Sequence, residues 1–188
     1  MTKQINPLYV CTLWYKPGKT MQGLIEKGRG HRSALTVATA SGMMQALPVY
    51  YSDESMSEFV FLIGAAIGFF GLYLLAWLLR NFGRWFGAQA SLREVRTGLG
   101  LALMPWLLCF LVLFLFRQNF GSSAVGQYFW LFFIPFVYGY IVVILSLAAA
   151  LRLTLLKTFL CLAITVIFSL FPLTLLFQML APYLLPAQ

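Results

Sequence analysis

Charge is what this chain has least of. Asp, Glu, Lys and Arg make up 10% of its 188 residues, where a soluble domain carries about 25%. So few charges cannot cover the surface of a soluble monomer. Acids are scarcer still, five against thirteen Lys and Arg. Histidine occurs once, as His31, between Arg29 and Arg32. With no acid or nucleophile placed near it in sequence, it belongs to a basic rim and is not a catalytic base. The three cysteines, Cys11, Cys109 and Cys161, show no paired spacing. That excludes a disulfide framework and a metal knuckle and leaves small buried apolar side chains. No phosphate-cradling glycine loop, His-Glu zinc motif or serine-centred elbow is present. No catalytic, cofactor-binding or metal-binding residue is therefore assigned, and the expectation is a protein that is not an enzyme. Nucleic acid is excluded as a partner, because the basic residues alternate with apolar runs and form no basic domain.

The gaps between charges are long. None occurs at 33–52, 59–79, 97–116, 118–151 or 158–188. Crossing the apolar core of a bilayer takes about 20 residues as a helix, and lipid leaves helices or closed barrels as the only backbones with every polar group satisfied. The ten-residue alternation of a barrel is missing. With 61% hydrophobic residues, the chain is expected to be an all-α integral membrane protein. Its five transmembrane helices fall at about 33–51, 59–79, 99–116, 128–151 and 158–180, forming a membrane domain over 33–185. Residues 1–32 form a basic, amphipathic entry segment. It has no apolar run of the signal-peptide kind, so the first span is expected to act as the targeting signal.

The basic residues divide unevenly about these spans. Lys3, Lys16, Lys19, Lys27, Arg29 and Arg32 precede the first span; Arg80, Arg84, Arg93 and Arg96 lie in the second loop; Arg152 and Lys157 lie in the fourth. With five crossings all of these share one side and only Arg117 faces the other. The excess of Lys and Arg in cytoplasmic loops then places the amino terminus in the cytoplasm and the carboxyl terminus outside. If the Ser-, Thr- and Gly-rich first span did not cross, the same charges would split almost evenly and favour neither orientation. Asp53, Glu54 and Glu58 fall in an outer loop. Tyr50, Tyr51, Tyr128, Trp130 and Tyr183 fall at outer ends, and Trp77 and Trp85 near an inner end, the headgroup level that such rings prefer.

Two basic stretches are amphipathic. In GAQASLREVRTGLGLALMP (87–105), Ser91-x-x-Glu94 has the spacing of a capping box. Leu92, Val95 and Leu99 follow at helical spacing, which predicts a helix from Ser91 that lies partly in the interface, with a bend near Gly98; the alternative is a third span that starts early. In WYKPGKTMQGLIEKGRG (14–30), Met21, Leu24 and Ile25 share a face ringed by Lys16, Lys19, Lys27, Arg29 and Arg32, which predicts a short interfacial helix. Lys16, Lys19, Arg84, Arg93 and Arg96 are the candidate contacts to a partner or to anionic headgroups, each such charge being worth about 1 kcal/mol near the surface.

Within the spans no ionisable acid, base or His occurs, which argues against a proton-driven pump. Polar residues do occur: Thr36, Thr39, Ser41 and Gln45 in the first span, Ser146 in the fourth, and Thr165, Ser169, Thr174 and Gln178 in the fifth. They are expected to hydrogen-bond between helices; a polar path between the first and fifth spans is the functional alternative. Gly64, Gly68 and Gly71 share one face of the second span and predict a close helix contact, within the bundle or between copies. Pro105, Pro135 and Pro172 predict kinks.

These motifs together resemble the Yip domain family, named for Ypt/Rab-interacting proteins, in its small bacterial branch. Pro17, Thr20, Met21, Leu24 and Ile25 match the family's entry segment. Gly87, Ser91, Leu92, Arg93, Glu94, Gly100, Ala102 and Pro105 match the stretch leading into its third span. The Asp-Leu-Tyr-Gly-Pro motif of the eukaryotic members is absent, as is an aromatic residue after Gly100. The resemblance implies five spans, a cytoplasmic amino terminus, the bacterial inner membrane, and a biochemical role that the family does not define. The expected role is that of an interaction or membrane-organising protein, with membrane lipids, a membrane-protein partner or a second copy as partners. A small passive channel, lipid-translocating protein or transporter subunit is the alternative.

Overall fold

The computed structural model describes residues 8–52 and 58–184 and is helical throughout its ordered elements. The helices are α1 (Leu8–Tyr15), α2 (Pro17–Glu26), α3 (His31–Ser52), α4 (Phe59–Trp85), α5 (Leu92–Ala102), α6 (Met104–Gln127), α7 (Phe129–Leu151) and α8 (Leu155–Leu184). Among the described residues three segments are long and apolar enough to cross a membrane: Phe59–Trp85, Leu92–Gly121 and Phe129–Leu151. A shorter apolar helix covers Leu155–Phe171. The hydroxyls, glycine and Gln45 of α3 lower its hydropathy, so α3 is long enough to span without being comparably apolar. The expected acids Asp53 and Glu54, and the side chains of Cys11, Pro172, Gln178 and Tyr183, lie outside the described residues.

Local chemistry sets the boundaries. Pro17 opens α2, where the missing N–H costs nothing and φ is already helical. α2 closes on Gly28, at φ 61°. The Gly28 N–H donates to the Ile25 carbonyl and the Arg29 N–H to the Leu24 carbonyl, both at 2.9 Å. This Schellman stop requires a left-handed residue, and glycine adopts that conformation without strain. α4 stops in the same way on Gly87, at φ 92°, with the Ala88 N–H donating to the Gly83 carbonyl at 2.9 Å. Ser91 then starts α5 with the expected capping box. The Glu94 N–H donates to Ser91 Oγ at 3.3 Å, and the Ser91 N–H donates to Glu94 Oε2 at 2.6 Å.

α3 and α4 run antiparallel at close range. Ala38, Gly42 and Ala46 recur every four residues along α3 and meet Gly64 and Gly68 of α4. A Cβ on Gly64 would stand 2.6 Å from the Gly42 carbonyl oxygen, and one on Gly68 would strike the Ala38 carbonyl. The contact is within the chain, and Gly71 takes no part in it, having open space beside it. Sequence inspection gave one half of this seam and missed the α3 half, which repeats the same small residues.

α5 is central, wedged against α3, α4 and α7. Val95, Leu99 and Ala102 enter the core with Leu72, Ala76 and Leu79 of α4, Leu147 and Leu151 of α7, and Cys161 of α8. The expected bend at Gly98 is absent. Gly98 is instead a contact position, where a Cβ would stand 2.6 Å from the Cβ of Ala150. Gly100 faces α3, 2.6 Å from the Ala34 carbonyl oxygen by the same measure. The helix breaks at Leu103, between α5 and α6, because Pro105 has no N–H to give to the preceding turn. α5 is thus the start of the third apolar segment, Leu92–Gly121, packed into the bundle along its second half. α2 also packs inward, burying Pro17, Thr20, Met21 and Leu24 against α7 and α5. α6 kinks at Gly121, at φ 81° and ψ 168°. Along the α6–α7 seam Trp106 lies over Gly139 and donates its indole N–H to the Phe136 carbonyl at 3.1 Å.

Among the described residues the hydroxyls of the spans do not bridge helices as expected. Thr36, Thr39, Ser41, Thr165, Ser169 and Thr174 donate their hydroxyls to carbonyls three or four residues back in their own helices, at 2.8 to 2.9 Å. Ser and Thr satisfy themselves in this way where no neighbouring helix offers a partner. The Ser146 hydroxyl, buried at the α5–α7 contact, has no hydrogen-bond partner among the described residues.

Candidate functional site: the basic end of the bundle

The stops of α2 and α4 and the start of α5 converge at one end of the bundle. The turn from α2 to α3 lies on α5: a Cβ on Gly30 would stand 3.2 Å from the side chains of Thr97 and Leu101. Arg93 Nη2 donates to the Gly28 carbonyl at 3.5 Å. This places His31, the first residue of α3, beside Arg93 and Arg96. Burial lowers the pKa of His31 from the usual 6.5, and the positive charges of Arg96 and then Arg93 lower it further. His31 Nδ1 is buried with no partner among the described residues.

Arg96 is half-buried. Its guanidinium carbon lies 4.4 Å from the centroid of the Tyr73 ring, a cation–π contact. Its Nε is buried without a partner, as is Nε of Arg80, which stands two turns beyond Tyr73 on the same face of α4. Glu94 lies close by but is already engaged, through Oε2 to the Ser91 N–H and through Oε1 to Arg152 Nη2 at 3.2 Å. Arg152 closes α7 in a left-handed conformation, at φ 57°, so the ion pair joins the start of α5 to the end of α7.

Five positions stood out in the sequence as contacts to lipid or a partner. Arg93 and Arg96 come together at this end, Arg93 exposed and Arg96 half-buried. Arg84 is exposed near the end of α4, as are Lys16, just before α2, and Lys19 on α2. Lys16 lies over the ring of its neighbour Tyr15, 5.8 Å from the centroid. His31 and Arg80 were not singled out as contacts. The signal for His31 was the Gly-Arg-Gly that precedes it, a turn that folds it back onto α5.

The motif residues serve the backbone. Thr20 donates its hydroxyl to Thr12 Oγ1 at 3.0 Å, tying α2 to α1. Pro17 starts a helix, Gly87 stops one, Ser91 and Glu94 cap one, Gly100 admits α3 and Pro105 separates α5 from α6.

A second feature is a cavity of about 580 Å³ between α3, α4, α5 and α8, with Ser41, Gln45 and Ser169 among otherwise apolar and glycine residues. It brings polar residues of the first and fifth expected spans to one place. The hydroxyls of Ser41 and Ser169 are turned to their own carbonyls, leaving Gln45 as the polar group free to face it.

No curated protein and no solved structure matches the chain. A family model described as the Yip1 domain matches residues 11–176, from α1 through most of α8, and includes the capped basic end and both halves of the small-residue seam. The chain belongs to the Yip1 domain family.

Proposed function

We propose that this Yip1 domain protein is a five-span protein of the bacterial inner membrane, with its amino terminus in the cytoplasm and its carboxyl terminus outside. Its basic end is a surface on the cytoplasmic leaflet for anionic lipid and a membrane-protein partner. Its role is interaction or membrane organisation, without catalysis. The observation that carries this is the joining of Arg93, Arg96 and His31 by the capped start of α5 and the α2–α3 turn. The geometry of α3 supports the fifth crossing. Its 22 residues span about 33 Å at 1.5 Å per residue, and its antiparallel seam with α4 brings its start to the end where α4 stops. Twelve basic residues then share one leaflet, as the distribution of Lys and Arg favours.

The test is crosslinked purification from native membranes in a mild detergent, identifying proteins and lipids together. Replacing Arg84, Arg93 and Arg96 by Gln is expected to reduce recovery of the partner or of anionic lipid at least about tenfold, given roughly 1 kcal/mol for each charge at the surface. The yield of folded protein should not change. Recovery unchanged by the triple replacement contradicts the proposal.

The cavity between α3, α4 and α8 supports conduction or lipid translocation as a second reading. Its hydroxyls are turned away, and a single amide makes a poor polar path, so the basic end carries the first proposal.

A further inference from the structure

The same end of the bundle has donors that its own residues do not satisfy. His31 Nδ1 and Arg96 Nε are buried without a partner among the described residues. Beside them Arg93 reaches only the Gly28 carbonyl, at 3.5 Å, the long limit of a hydrogen bond. Glu94, in the first turn of α5, is committed to Ser91 and Arg152. Among the described residues no ion pair joins Arg93 or Arg96 to an acid. α3 begins at this point, and the N–H groups and dipole of a helix start add further positive potential. The Arg96 guanidinium lies 4.4 Å from the Tyr73 ring centroid, a contact that restrains it, and a guanidinium can give two N–H groups to a ligand that accepts through two oxygens. A fold that draws like charges together and orients them is incomplete without an anion.

We propose that His31, Arg93 and Arg96, at the start of α3, form a binding site for a phosphate group, supplied by the headgroup of an anionic lipid or by a soluble phosphate. The site rests on the proposal that this end faces lipid and partners, and it makes that surface specific: one phosphate held by oriented donors, not a diffuse attraction to negative charge. Phosphate oxygens accept from the edges of both guanidinium groups. They also accept from the imidazole, which in its protonated form donates from both nitrogens. Burial and the positive charges of Arg96 and Arg93 lower the His31 pKa, and an anion beside them offsets that positive potential, so phosphate favours the protonated imidazole. Arg32, next to His31 in sequence, and Arg80, on the Tyr73 face of α4, add positive charge.

The chain has a single histidine, so one imidazole signal reports on the site without assignment. The experiment uses the full chain, labelled with ¹⁵N-histidine, in nanodiscs of zwitterionic phosphatidylcholine, and follows the imidazole through a pH titration by NMR. One arm adds phosphatidylglycerol to the nanodisc. The other compares sodium phosphate with sodium chloride at matched ionic strength. The expected result is a rise of the titration midpoint by about one pH unit or more, the size of shift an adjacent opposite charge produces. The rise should disappear in Arg96→Gln and persist in Arg84→Gln. A rise with the lipid alone assigns the phosphate to a headgroup; a rise with the ion assigns a soluble phosphate.

A midpoint unmoved by both probes in the wild-type protein overturns the site, with no variant needed. So does a rise of equal size in Arg96→Gln, because that is the response to the surface potential of the nanodisc. The two proposals fail separately. Recovery unchanged by the triple replacement leaves the His31 response standing, and an unmoved His31 leaves exposed Arg84, Lys16 and Lys19 to carry a non-specific association.

Discussion

Ser91 and Glu94 act together at the start of α5. The serine hydroxyl and the glutamate carboxylate each satisfy a backbone N–H that the helix leaves without a partner, and the second carboxylate oxygen holds Arg152. Because α5 carries Val95, Leu99 and Ala102 into the core, loosening its first turn is felt through the bundle. Replacing an N-cap serine by alanine typically costs about 1 kcal/mol. Ser91→Ala is therefore expected to lower the thermal midpoint in detergent by a few degrees, while Ser91→Asp, which can still accept from the Glu94 N–H, keeps it near wild type. An equal loss in both variants would show that the hydroxyl does not act as a cap. The box was legible in the sequence because it is local: two residues at a fixed spacing decide it. His31 was not. Neighbours in sequence make it one basic residue among several, and only the fold of the α2–α3 turn onto α5 shows that it lies beside Arg93 and Arg96 with a buried nitrogen.

At the scale of elements, the α3–α4 seam shows what periodicity can and cannot supply. Gly64, Gly68 and Gly71 share a helical face, and nothing in their spacing says which of them touch a neighbour. The partner decides that. The small residues of α3 meet Gly64 and Gly68 but stop short of Gly71, which faces the cavity. Between helices in lipid there is little hydrophobic drive, so close packing carries the association, and an added side chain must force the helices apart. Gly68→Leu is expected to cost about 1–3 kcal/mol or more, the range for overpacking a filled contact, and Gly71→Leu little. Steric trapping or unfolding in mixed micelles measures both, and equal losses would refute the assignment of the seam. Gly98 teaches the same lesson. A glycine in a helix reads as a bend until a neighbour is seen against it, and here Ala150 occupies the space a side chain would need. The actual break, at Leu103, follows from Pro105, whose position in the sequence was plain but whose reach back by one turn decides where the helix parts. The hydroxyls of the spans offered no sequence signal for choosing between a neighbouring helix and their own backbone.

For the whole molecule, the decisive element is α3. Length and charge gaps made all five apolar runs visible, yet α3 is the least apolar, and the assembly of the basic end depends on its crossing. If it crosses, residues 1–32 and the α4–α5 loop meet on one leaflet. Otherwise they lie on opposite sides and the cluster of His31, Arg93 and Arg96 cannot form in the membrane. Cysteine accessibility decides this in cells. With Cys11, Cys109 and Cys161 replaced by alanine, a single cysteine is introduced as Lys19→Cys on α2 or Gln89→Cys between α4 and α5, both at exposed positions. Each is treated with a membrane-impermeant thiol reagent in right-side-out and inverted vesicles. The account predicts that both are labelled in inverted vesicles alone. Labelling of the two from opposite sides would contradict it.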